Sequence, residues 1–177
     1  MDRIEKILRD QREELLSTDF TQFVSRKEEA EIDLNSKLAQ IVIGVRRCGK
    51  STLCQKVLVQ SNVNFAYVNF DDETLASLQS SQLNDVLEML YRIYGSFTHL
   101  FMDEIQNIAS WHLFVNRLLR QGIHLVVTGS NANLLSGELS THLTGRYNEI
   151  RLFPFSFAEY CQANEVDTGA LTTKARG

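Results

Sequence analysis

The stretch from Gly44 to Thr52, GVRRCGKST, places two glycines, a lysine and two hydroxyls at fixed intervals. Gly44, Gly49, Lys50 and Ser51 satisfy G-x-x-x-x-G-K-[ST], the pattern of a loop that holds a triphosphate. The chemistry requires that spacing. A polyanion must be gripped without crowding, so glycines let the backbone curl until successive N–H groups face the phosphate oxygens. The helix expected to start at Gly49 adds unpaired N–H donors and a positive dipole end. Lys50 supplies a mobile charge for the β- and γ-phosphates, and the Ser51 hydroxyl is a ligand for Mg²⁺. Gly44, Cys48, Gly49, Lys50, Ser51 and Thr52 are therefore the expected nucleotide contacts.

Two further stretches carry chemistry of a matching kind. HLFMDEIQN is an apolar run that ends in Asp103 and Glu104. Asp103 is placed to hold the Mg²⁺ hydration shell, and Glu104 to orient and polarise an attacking water. LVVTGSNAN is a second apolar run that leads into Thr128, Gly129, Ser130 and Asn131. Polar groups at the carboxyl end of a parallel strand face the ligand crevice. Ser130, and after it Thr128, is the expected sensor of the γ-phosphate or of the water.

These residues need a scaffold, and the pattern around them alternates. Ile4, Ile7, Leu8 and Leu15 recur at helical spacing among charges, which predicts one or two amphipathic helices up to about residue 34. Apolar runs predict strands over 37–45, 64–70, 99–104, 123–130 and 147–153. Helices are expected over 49–60, 82–95 and 110–122, the last with Ser110 as N-cap and Gly122 at its end. A short helix or loop over 134–143 and a helix over 155–162 complete the reading. Strands alternating with helices predict an α/β fold, a parallel sheet with helices on both faces. The expected division is a helical segment over 1–35, a core over 36–163, and the start of a truncated lid or linker over 164–177.

Composition narrows the class. The chain has 177 residues, is 44% hydrophobic and 23% charged, and carries a net charge of −4, an ordinary globular profile without the basic excess of a nucleic-acid binder. No apolar run reaches the ~20 residues that span a bilayer, and the charged N-terminus has no signal-peptide core, so a cytoplasmic protein without a membrane partner is expected. Cys48, Cys54 and Cys161 form no C-x-x-C pair, and the four histidines show no metal-ligand spacing.

The order GVRRCGKST, HLFMDEIQN, LVVTGSNANLLS and LTGRYNEIRLFPFSFAEY resembles the AAA+ ATPases. It is most similar to a prokaryotic branch of ATP-binding proteins near the STAND-like, archaeal-type ATPases. The most distinctive element is Gly145-Arg146, a strand, and then Leu152, Pro154, Ser156 and Phe157 as L-x-P-x-S-F. The resemblance covers about residues 36–162. It implies a five-stranded P-loop core ordered 5-1-4-3-2, ATP with Mg²⁺, and a water nucleophile activated by Glu104. It makes Arg146 a candidate arginine finger or sensor, acting on its own subunit or a neighbour, because an arginine neutralises charge on the transferring phosphoryl group. Arg46 matches an arginine common in that branch, and the resemblance adds it to the expected nucleotide contacts. Relatives continue into a lid and a C-terminal output domain, so a fragment of a longer protein is expected.

Two other functions fit the same residues. A nucleotide-dependent switch or scaffold would bind ATP with little turnover. A P-loop kinase would pass the phosphate to a small molecule, although the adjacent acids favour water as acceptor. Phe20 and Phe23 either flank an adenine or pack in the core.

Overall fold

The computed structural model describes residues 2–130, 139 and 141–154. Five strands build one sheet: β1 (Ala39–Ile43), β2 (Phe65–Asn69), β3 (His99–Asp103), β4 (His124–Gly129) and β5 (Tyr147–Arg151). They lie in the order β2-β3-β4-β1-β5 and all pair in parallel, which is the expected 5-1-4-3-2 order. Around them stand α1 (Asp2–Ser17), α2 (Lys50–Gln60), the one-turn α3 (Glu73–Ala76), α4 (Leu83–Tyr94) and α5 (Trp111–Arg120).

Strand side chains alternate between faces, and a parallel sheet covered on both sides must be apolar on both. The sequence meets that demand. Ile41, Ile43, Val68, Leu100, Met102, Leu125 and Val127 pack against Leu8 of α1 and the apolar stripes of α4 and α5. Val42, Tyr67, Phe101, Val126 and Ile150, one position out of phase, pack against Leu53, Cys54 and Leu58 of α2 and against Leu15, Phe20 and Ile32. Helix α1 reaches both layers because it wraps the exposed edge at β2. There Gln11 donates from Nε2 to the Asn69 carbonyl at 3.1 Å and accepts the Asn69 N–H at 3.1 Å, pairing the open edge as a neighbouring strand would.

Of the one or two amphipathic helices expected up to about residue 34, the N-terminal region forms one, α1. After α1 the chain makes two 3-10 turns, Phe20–Gln22 and Lys27–Glu31. Asp19 caps the first by accepting the Thr21 N–H, and the capping competes with any continuation of α1. Ser110 does occupy the N-cap position of α5, but its backbone is left-handed (φ 59°) and its side chain makes no capping bond. Gly122 ends that helix at φ 85° as expected. The expectations for 155–162 and 164–177, and most of that for 134–143, fall outside the described residues. Among the described residues no helix is long and apolar enough to cross a membrane.

Candidate active site

The candidate residues gather because β1, β3 and β4 are neighbours that all end on the same edge. The buried strand β1 delivers the chain to Gly44, and the loop turns into α2 at Gly49, whose φ of 96° suits glycine. Gly44 is required for a different reason. A Cβ there would stand 2.6 Å from the Leu152 carbonyl oxygen and 2.6 Å from Cys48 Sγ. The chain leaving β5 thus presses on the loop, and Leu152 N–H bonds the Ile43 carbonyl at 2.8 Å.

Lys50 is buried at the start of α2 and turns back across the loop. Its ammonium donates to the carbonyls of Gly44 (2.8 Å) and Val45 (3.1 Å) and lies 3.5 Å from Glu104 Oε1. Across the cleft, Asp103 ends β3 on the α2 face. Tyr67 donates its hydroxyl to Asp103 Oδ2 at 3.0 Å, Thr128 donates to Oδ1, and the Ser51 hydroxyl also bonds this carboxylate. Burial pushes the Asp103 carboxyl above its ordinary range, and these three hydroxyls and the Glu104 charge act against and with that push respectively. The Tyr67 hydroxyl is also raised, first by burial and then by the Asp103 charge, so it stays a donor.

Glu104 sits one residue beyond the strand, in the left-handed region at φ 55°. That conformation is uncommon for a residue with a Cβ, and it turns the side chain off the strand direction. Thr128 supports it twice, accepting the Glu104 N–H at 2.9 Å while donating to Asp103. The Glu104 carboxylate receives Gln106 Nε2 at 2.5 Å and the Ser130 hydroxyl at 3.4 Å on Oε2. The cleft between these groups has a volume of roughly 380 Å³ and is lined also by Arg47, Thr52, Asn69 and Asp71.

Most sequence-predicted residues converge here, with distinct placements. Gly49, Lys50, Ser51, Thr52, Asp103 and Glu104 line the cleft. Of the two loop arginines, Arg47 lines it, while Arg46 stands at its rim, 3.6 Å from Asp71 Oδ1. The Cys48 side chain is buried against Gly44, and its N–H bonds the Val45 carbonyl at 3.3 Å. Thr128 is committed to the acid pair, and Ser130 reaches the Glu104 carboxylate. Arg146 is not brought to the cleft. It precedes β5, its carbonyl accepts the Ala39 N–H at the start of β1, and its Nη1 donates to Asn116 at 3.3 Å. The length of a five-residue strand, about 16 Å, separates that edge from the loop.

Sequence reading missed Tyr67, Arg26 and Gln106. A tyrosine inside an apolar strand needs a partner for its hydroxyl, a usable signal; Arg26 lies in a polar stretch, SRKEEAE, with nothing to mark it. Phe20 packs in the core, whereas Phe23 lines a second, apolar pocket of about 270 Å³ with Val24, Gly49 and Thr52, directly beside the loop.

Comparison with known proteins agrees with this geometry. An uncharacterized protein of Methanocaldococcus jannaschii is 37% identical over 131 residues, which are 73% of this chain and 30% of that protein. An uncharacterized protein of Haemophilus influenzae is 37% identical over 139 residues, 73% of this chain and 34% of its own length. The chain thus spans about a third of these curated relatives. The model of a family described as AAA domain matches residues 36–161, from just before β1 to beyond β5. The chain therefore belongs to the AAA family of nucleotide-binding domains with the P-loop fold.

Proposed function

We propose that this chain binds ATP with Mg²⁺ and hydrolyses it, as one part of a longer protein. The observation that carries the reading is the meeting of Lys50, Ser51, Asp103, Glu104 and Ser130 at one edge of the sheet. The loop N–H groups and Lys50 grip the phosphates. The donor set suits magnesium, because the carboxylate of Asp103 and the hydroxyl of Ser51 are hard oxygen ligands held together. Bound there, Mg²⁺ would draw charge from the β- and γ-phosphate oxygens. The apolar pocket at Phe23 and Val24 fits the base.

Glu104 takes the proton of a water as its oxygen bonds the γ-phosphorus and the bond to the β-bridging oxygen breaks, giving ADP and phosphate. Ser130 and Gln106 keep the carboxylate oriented while Lys50 serves the phosphates. A slow cycle is favoured by the placement of Arg146, which leaves the cleft without that arginine from its own chain.

The test pairs binding with phosphate release. Glu104→Gln is expected to bind Mg·ATP within a few fold of the parent and to lose at least about 10²-fold in phosphate release. Release at the parent rate would remove Glu104 as the base. Release that needs an added acceptor would move the assignment to a kinase. Retention of ATP without any release by the parent would leave a switch.

A further inference from the structure

Arg26 comes from the N-terminal segment and is 7% exposed. Its Nη1 donates to the Cys48 carbonyl inside the phosphate loop at 3.1 Å, and its Nη2 donates to the Phe153 carbonyl, just after β5, at 2.5 Å. The guanidinium lies so close that a Cβ on Gly49 would meet Nη1 at 3.3 Å. Its own N–H is bonded by Glu29 Oε2 at 2.5 Å, and Glu29 is paired in turn with Lys56 of α2 at 3.1 Å. One side chain thus joins three segments that are distant in sequence.

The bond to Cys48 has a consequence at Gly49. In a planar trans peptide the C=O and the following N–H point in opposite directions. A Cys48 carbonyl held outward by Arg26 therefore aims the Gly49 N–H inward, to the cleft. Gly49 cannot fix that direction, because the glycine that permits φ 96° also offers least resistance to a peptide flip. A flipped peptide would present a carbonyl oxygen to the phosphates. Arg26 forbids the flip with a charge-assisted bond in a buried position.

We infer that Arg26 is a positioning residue for the phosphate cradle: it presets the Cys48–Gly49 peptide for anion binding and fastens the chain leaving β5 to the same peptide. The inference rests on the nucleotide reading of the cleft. It differs from a role in the apolar pocket, which Arg26 also borders, since the peptide contributes to any polyphosphate, with or without a base.

Inorganic pyrophosphate and ADP are the probes, titrated by calorimetry into the parent, Arg26→Ala and Arg26→Lys. Arg26→Ala is expected to lose roughly 10- to 100-fold in affinity for both probes alike, and millimolar guanidinium is expected to restore part of it. Arg26→Lys, with one head in place of a fork, should fall between. Loss for ADP alone would assign Arg26 to the base pocket and overturn the inference. A readout on the parent covers variants that fail to fold. On titration with pyrophosphate, the Gly49 amide proton should shift while the Cys48 carbonyl ¹³C stays in place. A large carbonyl shift would mean that the peptide turns on binding and is not preset. A parent that binds neither probe would defeat the nucleotide reading itself.

Discussion

The Lys50 ammonium lies 3.5 Å from Glu104 Oε1 across the cleft while the carbonyls of Gly44 and Val45 hold it from its own loop. The same cation therefore faces the proposed base and the place where phosphates would enter. Lys50→Ala removes both relationships and leaves Glu104 without its cation. Affinity for ADP and ATP is expected to fall by about 100-fold or more, as for a buried charge that loses its partner. Calorimetry decides it; unchanged affinity would take Lys50 out of the site.

Asp103 lends itself to a test by pH. Burial, the leading cause, raises its folded-state carboxyl above the unfolded value. A raised pKa contributes stability that is complete below the unfolded value and is lost as pH rises through the folded one. Near neutral pH the ionised group is therefore a net cost. Asp103→Asn, with Tyr67 and Thr128 still able to bond it, should melt at or above the parent at pH 7, by about 2–4 °C per kcal/mol regained. That advantage should shrink as pH falls into the carboxylate range. The same variant should lose the Mg²⁺ dependence of ATP binding. An advantage that grows on acidification would contradict the burial argument.

Gly44→Ala examines the contact between the loop and the chain after β5. The added Cβ meets a backbone oxygen at 2.6 Å, and a backbone cannot turn aside as a flexible side chain does. The cost is expected at about 1–3 kcal/mol, together with weakened nucleotide binding because the loop must shift. Thermal melts with and without ADP read both effects. A melt equal to the parent's would show that Leu152 moves freely.

Arg146→Ala should alter phosphate release by this chain by no more than about twofold, against the 10³–10⁵ that an arginine at the transferring phosphate contributes. The reason is its place at the opposite edge of the sheet, bonded to Asn116. Brisk release by the parent that collapses in the variant would show that the arginine reaches its own cleft. Release restored by adding Glu104→Gln chains that keep Arg146 would place it on a neighbour.

The strands and the main cleft residues were legible in the sequence because each rests on local chemistry. An apolar run of strand length ending in glycines and lysine, or in two acids, marks itself as a candidate site. Their phase was not: Val42 faces one layer and Ile41 and Ile43 the other, as Phe101 does against Leu100 and Met102, but runs that are apolar at every position carry no alternation to read. Nor were the N-terminal turns. The spacing of Ile4, Ile7, Leu8 and Leu15 does not mark where α1 stops; Asp19 diverts the backbone by bonding Thr21.

The sequence alone determined that a glycine–lysine loop, an acid pair and polar strand ends follow apolar strands, since each is a pattern of adjacent residues. Tertiary structure decided what each faces. It joined Lys50 to Glu104, gave Thr128 to the acid pair and Ser130 to the carboxylate, and turned Arg47 to the cleft with Arg46 at its rim. It recruited Arg26 from an unmarked stretch and held Arg146 at the far edge. These outcomes depend on which strands become neighbours and where each chain crosses the sheet. Such long-range pairings are fixed by the packing of the whole core, and no window of adjacent residues contains them.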